Sequence, residues 1–367
     1  MPVLRAKASE WDALSRLSPA VRRRIAPIIE FVPDWKAPGA TTSTRKRRAP
    51  RTQMEYVTRF LESLAKATPS DARAFVYFGH AGTAALWNGI DLWETFASGV
   101  PAASRIIPIV DLTAAPASPK LVLLTQTRGA VALRIEAPYV GPALATQIAS
   151  ALKALGVAAG SAHMIVDLKD QPALRSHVAI RTALGHANAF ASVTVLAGVF
   201  PQDLTNYQPG VAAEHRTEWQ TWWREHIATA AADQQLGFGD YTTQCARYRP
   251  SPEVPGSVSL RYTTDDAILV FRGRQSNNAT GLGHNQMHGH CRLLVNRAEY
   301  DGAAFSWGDH RFHCWTNPAN GPGNAPQWRT ASLVHHMTHV VGQLQDPVGS
   351  SATLRAWARG QAPGTCR

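Results

Sequence analysis

The sequence predicts an α/β fold, specifically a (β/α)8 TIM-like barrel with a C-terminal mixed extension. Eight short apolar segments alternate with helical patterns over about 240 residues, the size of such barrels. The apolar residues are consecutive rather than alternating, which indicates parallel strands covered on both faces. No glycine-rich dinucleotide fingerprint follows the first strand, so the sequence favours the barrel over a doubly wound open sheet.

The predicted strands are short, and several of them end in a charged residue. The segment at 161–170 is the clearest, because Met164, Ile165 and Val166 form an apolar run that Asp167 closes. Pro27 and Pro108 lie inside two other predicted strands, where proline is unfavourable because it cannot donate a ladder hydrogen bond. In chain order the predicted strands are 2–7, 25–31, 74–80, 105–111, 129–136, 161–170, 191–197 and 236–241.

Helical spacing of apolar residues accounts for most of the connections between these strands. Trp11, Leu14 and Leu17 lie on one face of a first helix, which Pro19 ends. Residues 33–51 are rich in Pro, Gly, Ser and Thr and are predicted to form a loop. The predicted helices are 10–17, 54–66, 91–96, 120–127, 141–155, 173–184 and 214–231.

The character of the sequence changes after residue 241. Two strands are predicted at 257–262 and 267–272, and 273–289 is polar, glycine-rich and without a period. A last helix is predicted at 332–345. The remaining length is short for an independent core. We therefore predict a barrel domain at 1–245 and, at 246–367, an extension that packs on it.

The composition indicates a basic protein with a polyanionic partner. The 37 Lys and Arg residues against 26 Asp and Glu residues give a net charge of +11, which favours nucleic acid. A basic surface that only maintains solubility is the alternative. The four cysteines show no CxxC spacing and predict a reducing compartment without a disulfide framework. No signal peptide or run of about 18 apolar residues is recognisable, so we expect a cytoplasmic protein without a membrane partner.

Charged and polar residues end the predicted strands and are the candidate site. In a closed barrel these ends converge on one face. Several carboxylates placed together repel each other, so metal ions, cationic side chains or raised pKa values must stabilise them. They could equally cap helices or pair with the neighbouring cations. The strand-end residues are Lys7, Glu30, His80, Asp111, Glu136, Asp167 and Asp240, and Arg134 lies two residues before Glu136.

Short motifs along most of the chain resemble the beta family, named after a beta protein of a T-even bacteriophage. They are found at residues 2–7, 10–14, 25–30 and 239–241, at Trp328 and at His335-His336. The family also occurs in bacteria, in some cases near phage-defence genes, and implies little established chemistry. Together with the charge, the resemblance implies a phage–host setting and a nucleic-acid substrate.

A carboxylate-lined site in a basic protein suggests glycosidic bond cleavage, with one group protonating the leaving group and another stabilising the transition state. On DNA this means excising a base, for example a modified one, after flipping it out of the duplex. No cofactor is needed for this reaction. The candidate catalytic residues are Asp111, Glu136, Asp167, Asp240 and Glu30, and Tyr77, Tyr139, Tyr241 and Trp35 could stack on the base. Lys7, Arg134, Lys169, His80, His335 and His336 complete the candidate substrate-binding set.

Two alternatives remain open. The same acids could hold Mg²⁺ for phosphodiester cleavage. Such sites usually include histidine, and only His80 and His163 lie near strands, with His163 at the wrong end of its strand. Because of this shortage of histidines, the glycosidic interpretation is preferred over the nuclease.

The other alternative is a basic binding module without catalysis.

Two further sequence features suggest binding sites. The histidine-rich tail suggests Zn²⁺, because His335 and His339 are four residues apart on a helix, but it lacks CxxC and HExxH motifs. The basic segment Arg45, Lys46, Arg47 and Arg48 is predicted to contact phosphates without reading sequence.

Overall fold

The computed structural model describes residues 1–34, 52–68, 72–82, 85–114, 118–170, 173–230, 236–248, 256–276 and 283–345. Three of the sequence predictions lie wholly or mostly outside these residues. They are the loop at 33–51, the stacking role of Trp35 and the phosphate-binding segment Arg45, Lys46, Arg47 and Arg48.

The regular elements alternate along the first two thirds of the chain and become mixed after that. The strands are β1 (Val3–Leu4), β2 (Ile28–Glu30), β3 (Ala74–Tyr77), β4 (Leu86–Trp87), β5 (Ile90–Asp91), β6 (Ile106–Asp111), β7 (Val131–Glu136), β8 (Ala162–Lys169), β9 (Ser192–Ala197), β10 (Gly210–His215), β11 (Leu236–Asp240), β12 (Ser257–Thr263) and β13 (Ala267–Gln275). The α-helices are α1 (Ala8–Arg16), α2 (Pro19–Arg22), α3 (Gln53–Ala67), α4 (Leu92–Gly99), α5 (Pro119–Arg128), α6 (Leu144–Leu155), α7 (Ala173–Leu184), α8 (Thr217–Ala230), α9 (Gln286–Val295), α10 (Trp307–Cys314) and α11 (Ala325–Gln345).

The chain divides into two compact units that are discontinuous in sequence. Unit 1 contains Met1–Ala6, Ala26–Ala197 and Thr221–Asp240. Unit 2 contains Lys7–Ile25, Gly198–Gln220 and the described residues from Tyr241 onward. The sequence predicts a single boundary after residue 245. In the structure, the earlier segments Lys7–Ile25 and Gly198–Gln220 cluster with the C-terminal part. They do so because α1 packs against α11 and β10 pairs with β13.

Unit 1 is built on an eight-stranded parallel sheet that is nearly closed and barrel-like. Its strand order is β1-β2-β3-β6-β7-β8-β9-β11, and a bridge between Pro2 and Asp240 joins the two ends of the sheet. All eight strands predicted from the apolar segments belong to it. Neighbouring strands are parallel because the chain crosses back between them, mostly through helices. The mixed α/β class is therefore confirmed.

The interior of unit 1 is formed by the consecutive apolar residues that identified the strands. Met164, Ile165 and Val166 in the centre of β8 are each fully buried. A short β4-β5 hairpin was not predicted. It turns at Asn88 and Gly89, whose positive φ angles of 50° and 83° suit a tight two-residue hairpin turn.

Unit 2 contains a three-stranded antiparallel sheet in the order β10-β13-β12, packed with helices. The predicted strands at 257–262 and 267–272 are present, and the predicted last helix is longer, since α11 begins at Ala325. The prediction of a helix from residue 214 was wrong at its start, because 210–215 form β10, which pairs with β13 along its whole length. Helices α9 and α10 were missed.

Two further predictions concern the environment of the protein. The sequence predicts no disulfide framework, and the buried Cys291 thiol is free. Among the helices of the described residues, none has both the length and the apolar character needed to cross a membrane.

Candidate active site

The carboxyl ends of β2, β3, β6, β7 and β8 bring charged side chains together in unit 1. The strand register places Asp111 beside Arg134, and Glu136 beside Asp167. Glu30 is paired with Tyr77 in the same way at the ends of β2 and β3. The convergence expected at the carboxyl ends of parallel strands is therefore present for these residues.

Arg134 is the centre of this cluster and is almost completely buried. Its Nη2 lies 2.7 Å from Asp167 Oδ2, and its Nη1 lies 3.3 Å from Glu30 Oε1. Both carboxylates are at most 1% exposed. A guanidinium that bridges two buried carboxylates offsets much of the cost of removing their charges from water.

Glu30 has two additional cationic or proton-donating neighbours. His80 Nε2 lies 3.0 Å from Glu30 Oε2, and Arg5 Nε lies 3.6 Å from the same oxygen. Burial alone would raise the pKa of Glu30. The hydrogen bond and charge of His80, together with the charge of Arg134, outweigh it and hold that pKa well below its ordinary value. Glu30 is therefore a fixed negative charge.

Asp111 has a different environment from the other acids. Tyr77 donates a hydrogen bond of 2.8 Å from its hydroxyl to Asp111 Oδ2, and the Arg134 guanidinium lies 4.3 Å from the centre of the Tyr77 ring. Asp111 Oδ1 is buried without a hydrogen-bond partner among the described residues. Burial raises the pKa of Asp111 above its ordinary value, although Arg134 and the Tyr77 hydrogen bond act against it. Asp111 is thus the carboxyl group in the cluster suited to carrying a proton.

A bulge between Asp167 and Lys169 shapes the end of β8. Lys169 has a φ of 52°, a conformation that is uncommon for residues other than glycine. Its backbone N–H donates to Asp167 Oδ1 at 3.0 Å, and its ammonium lies 3.0 Å from Asp167 Oδ2. The same ammonium is 3.6 Å from Glu136 Oε1. The strained backbone thus places one cation between two of the predicted acids.

The cluster opens into a cavity of about 110 Å³. Asp111, Arg134 and Glu136 provide its charged lining, and Leu112, Thr113, Ile135 and Tyr139 complete it. The side chain of Glu136 is 40% exposed and Tyr139 is 49% exposed, so both are accessible from solvent. The arrangement can combine a proton-carrying carboxyl, a solvent-accessible carboxylate and an aromatic side chain.

Of the other predicted residues, Asp240, Tyr241 and Tyr77 are buried. Asp240 is buried at the end of β11, where its backbone N–H donates to the Met1 carbonyl. Lys7 and Tyr241 belong to unit 2. Lys7 is the N-cap residue of α1, and the buried Tyr241 side chain packs closely on the backbone of Gly198. Tyr77 is also buried under Arg134, so it does not offer a free stacking face to a base.

His335 and His336 also lie in unit 2, where they are buried. His335 Nδ1 is 2.9 Å from Asp309 Oδ2, and His336 Nδ1 is 2.8 Å from Thr263 Oγ1. The structure therefore gives these two histidines partners inside unit 2. A phosphate contact at either residue would require these hydrogen bonds to break.

Two residues of the site were missed in the sequence. Arg5 contacts Glu30, because β1 ends at Leu4 and Arg5 directly follows it. Thr113 lines the cavity just after β6. Arg5 could have been found by placing the end of the first strand earlier, since the apolar run stops at Leu4. Thr113 carried no distinguishing signal.

Glu30 should make the stability of unit 1 depend on pH in the acid range. Its folded pKa is depressed below the unfolded value of about 4.3, so its contribution is complete above that value and is lost as the pH falls. The raised pKa of Asp111 has the opposite sign and reduces stability as the pH rises through it. We expect Glu30→Gln to flatten the fall in unfolding temperature between about pH 5 and pH 3. Glu62 is exposed on α3, so Glu62→Gln should keep the wild-type dependence of unfolding temperature on pH. An equal dependence in both variants would contradict the assignment of a depressed pKa to Glu30.

Comparison with known proteins gives one match. The family model described as Beta protein matches residues 1–342 of the chain. No curated protein and no solved structure matches the chain. The match spans both units, so it covers the acidic cluster and the histidine-rich helix alike.

Proposed function

Since the chain belongs to the beta protein family, a family whose description names no reaction, we propose a function from the site itself. We propose that the protein is a nucleic-acid-directed hydrolase, a DNA glycosylase that removes a base, for example a modified base of phage-type DNA, and leaves an abasic site. The observation that supports it is Asp111, whose Oδ1 is buried without a hydrogen-bond partner among the described residues and whose side chain lines the cavity that Glu136 also lines.

The proposed reaction assigns different roles to the two carboxyl groups. Asp111, whose pKa is raised by burial, donates a proton to the departing base as the bond between base and sugar breaks. The bonding electron pair leaves with the base, and the sugar becomes oxocarbenium-like. The carboxylate of Glu136 stabilises this positive charge or activates the attacking water. Two carboxyl groups in unlike environments are the usual basis for such a division.

The buried ions position these groups and do not take part in proton transfer. Arg134 neutralises Glu30 and Asp167 and supports the Tyr77 ring. Tyr77 in turn holds Asp111 Oδ2, which directs Asp111 Oδ1 away from that hydrogen bond. Burial raises the pKa of Tyr77, so its hydroxyl remains a donor. We therefore propose Glu30, Asp167 and Arg134 as positioning residues.

DNA is the substrate that the net charge and the cavity favour. The net charge of +11 attracts a polyanion. A cavity of about 110 Å³ cannot admit a duplex, so the reacting nucleotide has to be extruded from its stack. The exposed ring of Tyr139 at this cavity supplies a surface on which an extruded base can stack. The ammonium of Lys169 provides a nearby cation for a backbone phosphate.

We also propose that the sheet of unit 1 is a TIM-type (β/α)8 barrel. Eight parallel strands in sequential order, and the Pro2–Asp240 bridge between the first and last strands, support this assignment. The catalytic residues proposed above follow strands at their carboxyl ends, where barrel enzymes place their chemistry.

The metal-dependent nuclease and the non-enzymatic binding module remain the competing functions. Glu30, Asp167 and Glu136 have cationic partners. Asp111 and Glu136 are the acids that line the cavity, where a Mg²⁺ ion could use them. A binding module would leave the cavity without a chemical role. Neither alternative is favoured by a specific contact in the part of the chain that the structure describes.

The experiment is incubation of the purified protein with plain and base-modified DNA in the presence of a chelator, followed by alkali or an abasic-site nuclease. We expect strand breaks that appear only after the second treatment. Direct breaks restored only by divalent metal would replace the proposal with the nuclease. Intact DNA that is retained on a gel would replace it with the binding module.

A further inference from the structure

We propose that unit 2 contains a divalent metal-ion site of the zinc class, with His339 Nε2 and the carboxylate of Asp265 as its protein ligands. The site is a second cavity, of about 200 Å³. Its lining residues all belong to unit 2, whereas those of the proposed active site belong to unit 1. Asp265, Asp266, Glu299, Asp301 and His339 line it, and no lysine or arginine is among its described lining residues. Four carboxyl groups and an imidazole are donor types that zinc accepts.

His339 indicates a bound ion, because one of its ring nitrogens is buried without a hydrogen-bond partner among the described residues. The residue is 2% exposed, and its Nδ1 lies 3.2 Å from Asp301 Oδ2. A hydrogen bond from Nδ1–H to this carboxylate leaves the lone pair of the neutral ring on Nε2. His339 Nε2 has no hydrogen-bond partner among the described residues, and Asp265 Oδ1 lies 3.3 Å from it. A lone pair facing a carboxylate is unfavourable, and a metal cation bound between the two atoms removes this repulsion.

The distance between these two atoms fits a shared ion. Zinc binds imidazole nitrogen and carboxylate oxygen at about 2.0 Å in tetrahedral geometry, which separates two ligand atoms by about 3.3 Å. The observed separation of His339 Nε2 and Asp265 Oδ1 is 3.3 Å. The side chain of Asp265 is 56% exposed, so an ion can enter from solvent and keep water as further ligands.

The groups around the two ligands hold them in place. Asp301 fixes the His339 ring in the way that a carboxylate commonly orients a metal-binding histidine. The backbone N–H of Asp301 donates to the Tyr262 hydroxyl oxygen at 2.9 Å, and that hydroxyl donates to Asp309 Oδ1 at 2.9 Å. On the other side, Gln343 Nε2 donates to the Asp265 carbonyl at 3.1 Å. The site is thus preorganised by side chains of unit 2.

His335 is close enough to be considered as a ligand but is already fully bonded. Ligand-type atoms of Asp301, His335 and His339 all lie within 4.8 Å of one another. However, His335 Nδ1 is 2.9 Å from Asp309 Oδ2, and its Nε2 is 2.8 Å from the Thr263 carbonyl oxygen. The structure therefore assigns His335 to the support of this region and His339 to the ion.

The test is isothermal titration of the chelator-treated full-length chain with zinc chloride. We expect saturable binding of one ion, weakened at least tenfold by Asp265→Asn and by His339→Gln. Asp301→Asn should weaken it by about 10–100-fold, as expected for a carboxylate that orients a ligating histidine. His313→Gln, an exposed histidine of α10 outside the cavity, is the matched control and should bind zinc like the wild type.

Asp265→Asn is the deciding variant, because its half-exposed side chain can change without opening the core of unit 2. Circular dichroism confirms that each variant is folded before titration. Absence of saturable zinc binding in the wild type would overturn the site, since His339 would then be only the protonated partner of two aspartates. Unchanged affinity in folded Asp265→Asn would overturn it as well. The titration contains no DNA, so its result is independent of the proposed glycosylase.

Discussion

Asp111→Asn is expected to lower the rate of base excision by about 10²–10⁴-fold, the usual contribution of general acid–base catalysis. Asparagine keeps the shape of the side chain and can still accept the hydrogen bond from Tyr77. It cannot carry the proton that the proposed mechanism gives to the departing base. The measurement is single-turnover release of the base with enzyme in excess, so that product release does not limit the rate.

Two further readouts separate this chemical role from a structural one. DNA retention should remain within about twofold of the wild type, because Asp111 supplies no positive charge. The wild-type rate should fall as the pH rises through the raised pKa of Asp111, and any residual rate of the variant should lack this fall. Glu62→Gln on the exposed face of α3 serves as the control. Excision by Asp111→Asn at the wild-type rate would exclude Asp111 as the acid.

Arg134→Met is expected to destabilise unit 1 by about 3–5 kcal/mol, the cost of leaving a buried charge without its partner. The substitution removes the contacts at 2.7 Å to Asp167 and at 3.3 Å to Glu30. Arg5, His80 and Lys169 remain near these two carboxylates, which keeps the expected loss within this range. Hydrogen exchange of peptides from β7 and β8 in urea reads the stability of unit 1 separately from that of unit 2.

A matched control tests whether burial is the cause. Arg59 forms an ion pair with Glu55 four residues earlier on α3, and both side chains are well exposed, at 40% and 36%. Arg59→Met should therefore cost less than about 1 kcal/mol. If the two arginine variants lose similar stability, Arg134 does not neutralise the buried acids in the way the structure indicates.

The two carboxylates that Arg134 neutralises show the limits of prediction from sequence. The sequence identifies Asp167 and Glu30 as strand-end acids and allows their pairing with Arg134. Their roles could not be separated from that of Asp111, because all three follow apolar runs in the same way. Only the structure shows that two of them share a guanidinium while Asp111 faces Tyr77 and the cavity.

The boundary predicted at residue 245 differs from the observed division into two units for a related reason. The sequence predicts residues 7–25 as part of the barrel domain, because they lie between its first two strands. The helix α1 at their centre packs against α11, more than 300 positions later in the chain, and its Ser9 carbonyl accepts a hydrogen bond from Thr330. Such long-range packing has no local signature in the sequence.

The sequence by itself determined the eight parallel strands, the polar residues at their ends and the family. These features depend on the local order of apolar and charged residues, and short apolar runs are recognisable without a partner. Only the tertiary structure decided which acids are paired, because Arg134 and Glu30 are 104 positions apart in the chain and meet only when the sheet folds. The same holds for His339 and Asp265, which are brought together in unit 2 by the packing of α11 on β12. Charge pairing and burial set the chemistry of each group, and both depend on distances in space rather than on position in the chain.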